Sequence, residues 1–436
     1  MKILYISQYF FPEVGATSNR AMSNVVSFKK NNHDVTVLTE MPNHPKGIIF
    51  DGYKGRYLVR EVVNGVNIVR VWVFTSQVKN FITRLLFYTS FSITGSIYMM
   101  FCRKKYDVVY VTSPPLFVAI IGLFIKLISP KTKMFFEVRD MWPDSAIDLG
   151  ELKNKTLIKF SLLLENWAYK KSAAIITIIT VTENLRNKIS QKGFSLNKIY
   201  SVPNGTDLVQ ENDPVLKKTK LQKHIGFHCF KSSGKSVKLG KIMKINPFYD
   251  FSGSFRVIYA GNMGIAQNLT IILESAEILS KENIKFYFLG AGPEEEKLKR
   301  YVFEKQLKNV FFLGIIPQKQ LKAYYQNAHC SVIPLRKIAL FESAIPSKIF
   351  DSMAIGLPVI VGVNGEAQEV VKKSGGGLNF EPENPVSLSE AILKLKNNRK
   401  LLSQFGRNGI MFVKKYYDRK ILAQKIEDII QKHIND

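Results

Sequence analysis

The chain has 436 residues, 46% apolar and 22% charged, with 27 Gly, 17 Pro and three cysteines, Cys102, Cys229 and Cys330. The length predicts two to three domains; the composition excludes a disordered or collagen-like chain, and the cysteine spacing offers neither a disulfide framework nor a C-x-x-C knuckle, which fits a reducing compartment. Against 35 acidic residues stand 62 Lys and Arg, and a net charge of +27 favours polyanionic partners: nucleic acid, phosphorylated small molecules or an anionic membrane surface.

The apolar run Ile3 to Ile6 is interrupted by Ser7, Gln8 and Pro12, too short for a signal-peptide core, so a cytoplasmic protein is expected. A turn region with Pro12 and Gly15, a polar helical segment and His33 to Thr39 complete a strand, loop, helix, strand unit, the building block of a parallel sheet. Further strand-like runs follow at Val66 to Trp72, Asp107 to Val111, Met134 to Val138, Ala174 to Val181 and Ile199 to Val202. Leu85 to Cys102 carries no charge, but its serines, threonines and tyrosines dilute it as a membrane span; with the shorter Leu116 to Ile128 it is expected to form helices that are either buried core or lie at a membrane surface. These elements predict one open α/β domain over residues 1–208.

A second α/β series occupies 255–412. It has strands at Phe255 to Ala260, Lys285 to Leu289, Val310 to Gly314, Cys330 to Pro334 and Pro358 to Val361, with helices at Leu269 to Lys281 and Pro346 to Met353. Two such halves predict a cleft between them. Between the halves, 209–254 reads as a basic linker: Lys217 to Lys244 holds nine lysines and no acidic residue. His224 and His228 are spaced i,i+4 there, but without an H-E-x-x-H context they read as surface polar residues.

No G-x-G-x-x-G, Walker A, G-x-S-x-G or paired Cys/His motif is present, which argues against hydride transfer, NTP hydrolysis and serine hydrolysis. What remains are glycine-containing loops that enter helices and can hold a diphosphate with free N–H groups: Gly15-Ala16-Thr17-Ser18 and Gly261-Asn262-Met263-Gly264. Pro346-Ser347-Lys348 adds a hydroxyl and a cation at a helix start, where Lys348 is either a point charge for a phosphate or a solvated lysine. Arg139 and Asp140 end a predicted strand facing the expected cleft, where they are either functional charges or simply paired with each other or with backbone. No D-x-D pair suggests a divalent metal, so no cofactor is expected.

Several stretches, in order, resemble the retaining glycosyltransferases of family 4 with the GT-B fold, and within them a bacterial cell-envelope, fucosaminyltransferase-like subgroup. They are Tyr9-Phe10-Phe11-Pro12-Glu13-Val14-Gly15, His33 to Thr39 with Met41 to Gly47, Glu137 to Pro143, Val202-Pro203-Asn204-Gly205, Tyr259 to Gly264, Leu289 to Pro293 and Pro346 to Asp351. The resemblance implies two Rossmann-like domains, the first binding an acceptor and the second a nucleoside diphosphate sugar, with the last helix, 413–436, packing back on the first. It places Gly314, Ile315 and Ile316 at the base, Gly15, Ala16 and Lys348 at the diphosphate, with Gly261, Asn262, Gly292 and Ser347 around the donor, and Asp351 at the ribose. The family's E-x7-E pattern puts its first carboxylate on Ser343, with Glu342 one residue early. The implied acceptor is a polyprenyl diphosphate-linked glycan at the anionic inner membrane surface, which Trp142 and the aromatic-rich Phe87 to Phe101 stretch would help contact; no nucleic acid is expected. Catalysis would rest on Lys348 and helix N-termini at the leaving group, with Arg139 and Asp140 near the reacting sugar. A nucleotide-sugar epimerase and a polyanion-binding protein are the competing readings.

Overall fold

Short runs of β-branched and aromatic residues, apolar on both faces, become interior strands of two largely parallel sheets, because only a strand covered on both sides tolerates such a run. The structure is a computed structural model that describes residues 1–13, 15–78, 80–140, 142–148, 152–177, 184–208, 253–342 and 345–435. The chain divides into two units, Met1–Gly205 with Arg419–Asp436, and Thr206–Asp418.

The first unit contains β1 (Lys2–Ile6), β2 (Asp34–Glu40), β3 (Leu58–Val63), β4 (Val66–Val71), β5 (Val108–Ser113), β6 (Lys133–Val138), β7 (Ala174–Thr177) and β8 (Ile199–Ser201), in the sheet order β3-β4-β2-β1-β5-β6-β7-β8. All neighbours are parallel except β3, which pairs antiparallel with β4 through the Asn64-Gly65 turn. One face is covered by α1 (Ala16–Lys30), packed on Ile3, Tyr5, Val35 and Tyr110. The other face carries α2 (Phe81–Phe101), α3 (Ala119–Ile128) and α5 (Lys155–Lys171), which share a core with Leu4, Ile6, Val111 and Phe136. A short α4 (Asp144–Asp148) starts directly after Pro143, and α6 (Asn184–Gln191) precedes β8.

The second unit is the same design, with β9 (Phe255–Ala260), β10 (Ile284–Leu289), β11 (Val310–Gly314), β12 (Cys330–Pro334), β13 (Val359–Gly362) and β14 (Gly377–Asn379) in the order β11-β10-β9-β12-β13-β14, all parallel. Its helices are α7 (Thr270–Ile278), α8 (Glu295–Glu304), α9 (Gln318–Asn327), α10 (Ala339–Glu342), α11 (Lys348–Met353), α12 (Glu366–Ser374), α13 (Pro385–Lys396) and α14 (Arg399–Tyr416). The strand order reverses direction beside β9, between β9 and β12, and ligands of open α/β sheets bind at the carboxyl ends of strands at such a reversal. In the first unit the reversal lies between β1 and β5.

The last helix, expected over 413–436, is interrupted at Tyr417: α14 belongs to the second unit, and α15 (Arg419–Asn435) belongs to the first. Leu422, Ile426, Ile429 and Ile430 of α15 enter the α1 face of the first sheet, where buried Glu427 meets His33 Nε2 at 2.8 Å. Among the described residues no helix is long and apolar enough to cross a membrane. The Lys217 to Lys244 stretch, with His224, His228 and Cys229, lies outside the described residues, as does nearly all of the 209–254 segment.

Candidate active site

In the second unit the site grows from the end of β9. Gly261 leaves the strand at φ +146°, a conformation glycine adopts readily, and its amide donates to the Leu289 carbonyl at 2.8 Å. The loops after β9 and β10 then lie back to back. A Cβ on Gly290 would fall 2.0 Å from the Gly261 carbonyl oxygen, and one on Gly292 would fall 2.4 Å from the Met263 oxygen. The glycines that stood out in the sequence are therefore a condition of this close approach.

Lys348 opens α11 and reaches back over the same loop: a Cβ on Gly261 would lie 2.2 Å from its Cε and 2.4 Å from its Nζ. The ammonium donates to the Tyr259 hydroxyl at 3.0 Å and lies 4.7 Å from the centre of that ring. Tyr259 in turn donates to the Asn262 carbonyl. Burial pulls the Lys348 pKa down to about 8, with Asp351 opposing, and no carboxylate among the described residues stands within ion-pair distance of it. A desolvated cation without a counter-ion, at the sheet's switch point, is suited to an incoming anion. Because α11 has only six residues, the side chain rather than a helix dipole carries this charge.

The other donor-side candidates are less closely gathered. Asp351 Oδ1 accepts from the Thr206 hydroxyl at 2.6 Å. Ser347 precedes α11 without a side-chain capping bond. Gly314 turns with φ +70°, after which Ile315 is 78% exposed while Ile316 packs inward beside Tyr287 and Leu289. Glu342 ends α10, and its backbone abuts Gly365, where a Cβ would fall 2.2 Å from the Glu342 oxygen. Ser343 lies outside the described residues.

In the first unit α1 begins after Gly15 with no side-chain cap and no acid in its first turn, so the amides from Ala16 onward have no side chain competing for them. Arg139 and Asp140 follow β6. They do not pair with one another: Asp140 is exposed, and the Arg139 Nε and Nη1 are buried without a hydrogen-bond partner. Trp142 turns inward to pack on Phe117, with ring centres 5.7 Å apart, and Phe91 of the aromatic stretch is fully buried, whereas Trp167 on α5 is exposed.

Sequence reasoning passed over what holds this end of the sheet together. Glu137 of β6 is fully buried and accepts from Arg20 Nε at 2.8 Å, the Tyr110 hydroxyl at 2.7 Å and the Thr112 hydroxyl at 2.6 Å. Burial works to raise its pKa, but Arg20 and then Arg139 hold it below the usual value. The available signal was a lone acid in an otherwise apolar strand, which demands a buried partner. Likewise Glu13 Oε1 accepts from the Asn43 and His44 amides at 2.7 and 2.8 Å, tying the loop after β1 to the loop after β2. Among the described residues no cluster of three or more His, Cys, Asp or Glu could hold a metal ion.

Comparison with known proteins agrees with this architecture. Residues 15–205 match the glycosyl transferase 4-like domain family, and residues 244–412 match the glycosyl transferases group 1 family. The chain is 22% identical over 358 residues to WcaI of Escherichia coli K12, provisionally assigned as a colanic acid biosynthesis glycosyl transferase, covering 82% of each chain. Sucrose-phosphate synthase from Thermosynechococcus elongatus superposes with a TM-score of 0.69 at 14% identity, covering 99% of this chain and 98% of that one. HepE of Anabaena, solved with UDP and glucose, gives 0.65 at 14% identity and covers 99% of both. With the two family matches spanning most of its length on two parallel α/β units, the chain belongs to the family 4-like glycosyltransferases of the GT-B fold and is a transferase.

Proposed function

We propose that this glycosyltransferase is a retaining enzyme that moves a sugar from a UDP-sugar to a lipid-linked glycan during cell-envelope polysaccharide synthesis, within the fucosaminyltransferase-like subgroup. The observation that carries the donor half is the partly buried Lys348 ammonium, which rests on Gly261 with no carboxylate in ion-pair distance among the described residues. When the glycosidic bond breaks, the departing diphosphate gains negative charge, and a cation already in place stabilises it without reorganisation. Gly261, Asn262, Gly292 and Ser347 would line the phosphates, Asp351 the ribose, Gly314 to Ile316 the base, and Glu342 or Ser343 the sugar. Gly15, Ala16, Arg139 and Asp140 would act from the first unit. Lys348 and the loop N–H groups would share the phosphate charge, so no metal is expected and activity is expected to survive a chelator. The solved complex of HepE with UDP and glucose, and the colanic acid assignment of WcaI, support this donor and this pathway class.

The membrane half rests on the surface of α2, α3 and α5. Ile82, Leu86, Ile93, Ile97, Met100 and Phe101 are exposed along α2, Leu127 and Ile128 on α3, and Phe160, Leu163 and Trp167 on α5, with Phe101 77% and Trp167 58% exposed. Exposed Arg84, Arg103, Lys105, Lys155 and Lys159 flank them. Apolar side chains rimmed by cations suit the headgroup boundary of an anionic leaflet, where a polyprenyl-linked acceptor would be met. On this reading the protein would work at the inner face of the cytoplasmic membrane.

The donor assignment is tested by thermal shift. UDP is expected to raise the melting temperature of the wild type, and Lys348→Ala to weaken UDP about tenfold or more, since a bond to a charged group contributes roughly 1.5–3 kcal/mol. Equal shifts in both proteins would remove Lys348 from the site. The anomeric configuration of the product, read by NMR, decides whether the enzyme retains.

A further inference from the structure

At the carboxyl end of β6 two guanidinium groups face one carboxylate. Both oxygens of Glu137 are engaged: Oε1 by Arg20 and Tyr110, and Oε2 by Thr112. Arg20 spends its other nitrogens on the carbonyls of Val202, at 3.0 Å, and Pro203. None of these hydrogen bonds comes from Arg139, although Glu137 attracts its charge. Its backbone amide is fixed to the Ser113 carbonyl at 2.9 Å, so the residue is anchored across β5 and β6. Its Nε and Nη1 are buried and make no hydrogen bond among the described residues. The residue as a whole is only partly buried, so the side chain also reaches the surface. Burial disfavours its charge and Arg20 adds to that, with Glu137 opposing. A guanidinium cannot shed its proton to escape this cost. The cluster therefore holds one positive charge more than its acceptors neutralise, beside the switch point of the first sheet.

We infer that the Arg139 guanidinium is the receiving group for a phosphoryl oxyanion in the first unit, with the Arg20–Glu137 pair holding it in place. This rests on the reading that the first unit takes the acceptor, and it names that acceptor's chemistry: a saccharide carried on a phosphate or diphosphate rather than on a neutral aglycone. The same oxyanion chemistry belongs to the donor's diphosphate, so the test separates the two sources. Lys348, in the second unit, is the control site.

Binding of three probes to the full chain is measured by calorimetry: farnesyl diphosphate, farnesol and UDP. For Arg139→Gln and Arg139→Ala the expectation is a roughly 10- to 100-fold loss of farnesyl diphosphate affinity, the size of a lost charge-assisted bond. Farnesol and UDP are expected to be unchanged, with partial recovery in Arg139→Lys. Loss of UDP affinity with farnesyl diphosphate intact assigns the same oxyanion site to the donor. Inorganic pyrophosphate should displace farnesyl diphosphate from the wild type, a reading that needs no variant to fold. Unchanged affinity for both diphosphates in a variant that melts like the wild type overturns the inference, as does pyrophosphate that fails to compete. A wild type that binds farnesyl diphosphate through Arg139 but ignores UDP would sink the donor reading and leave this one standing.

Discussion

Lys348 ties its chemistry to pH. Burial lowers its pKa from 10.5 to about 8, so the free folded protein releases this proton while the unfolded chain still binds it. Between pH 8 and 10.5 the unfolded state holds more protons at this position, and this group's contribution to folding stability rises with pH across that window. Binding runs the other way. A diphosphate beside the amine restores the ammonium, so UDP affinity is expected to be flat below pH 7.5 and to fall by about tenfold per unit above pH 8, with proton uptake measurable by calorimetry in buffers of different ionisation heat. Lys348→Met should abolish both the uptake and the slope; a slope that persists would place the titrating group elsewhere. The sequence shows each partner of this contact separately, a glycine after a strand and a cation at a helix start. It does not show that Gly261 and Lys348 touch, because that depends on β9 and β12 being neighbours in the sheet. Arg139 illustrates the same limit: its type and place at a strand end are legible, whereas its lack of a partner follows from Arg20, far away in sequence, having taken Glu137.

At the scale of elements, the interior strands were readable because strands covered on both faces must be uniformly apolar. Two strands escaped, the short Gly377–Asn379 and Leu58–Val63; the latter alternates half-buried and exposed residues as a sheet edge does, and its signal was the Asn64-Gly65 turn, with φ of 52° and 75°. The break between α14 and α15 was hidden for another reason. Helical periodicity continues through it, and tertiary contact decides the end: the Tyr417 ring stacks on Phe350 with centres 3.9 Å apart. The uncharged helix α2 allowed two readings, buried core or membrane surface, and its two faces differ. Phe91 and Met99 enter the core, and Ile93 and Ile97 stand outward one turn apart. Charge on the outer face alone is therefore expected to spare the fold. In an Ile93→Glu, Ile97→Glu double variant the melting temperature should stay near that of the wild type, while co-sedimentation with vesicles rich in phosphatidylglycerol falls by about tenfold or more, as two apolar side chains are removed from the bilayer boundary. Equal sedimentation of both proteins would remove α2 from the membrane contact.

At the scale of the whole chain, two α/β units each close their own core, and one helix breaks the correspondence between sequence order and unit. α15 begins at Arg419, whose Nε donates to the Gly205 carbonyl at 3.1 Å, and then packs on the first sheet although the second unit precedes it in the chain. Its four buried aliphatics, Leu422, Ile426, Ile429 and Ile430, cover Ile3, Tyr5, Phe28 and Phe135. Each such side chain contributes roughly 1.5–3 kcal/mol when buried, so together they approach the roughly 5–15 kcal/mol net stability of a whole domain. Glu427 adds bonds to the His33 ring and the Asn31 amide. Ending the chain after Asp418 is therefore expected to unfold the first unit selectively. Calorimetry of the intact protein should resolve two transitions, of which UDP raises chiefly the one belonging to Thr206–Asp418. In the truncated chain the UDP-sensitive transition should persist and the other should be lost or shifted below room temperature, with transferase activity gone and UDP binding retained. If truncation instead removed the UDP-sensitive transition, or left both intact, the assignment of α15 to the first core and of the nucleotide to the second unit would fail together.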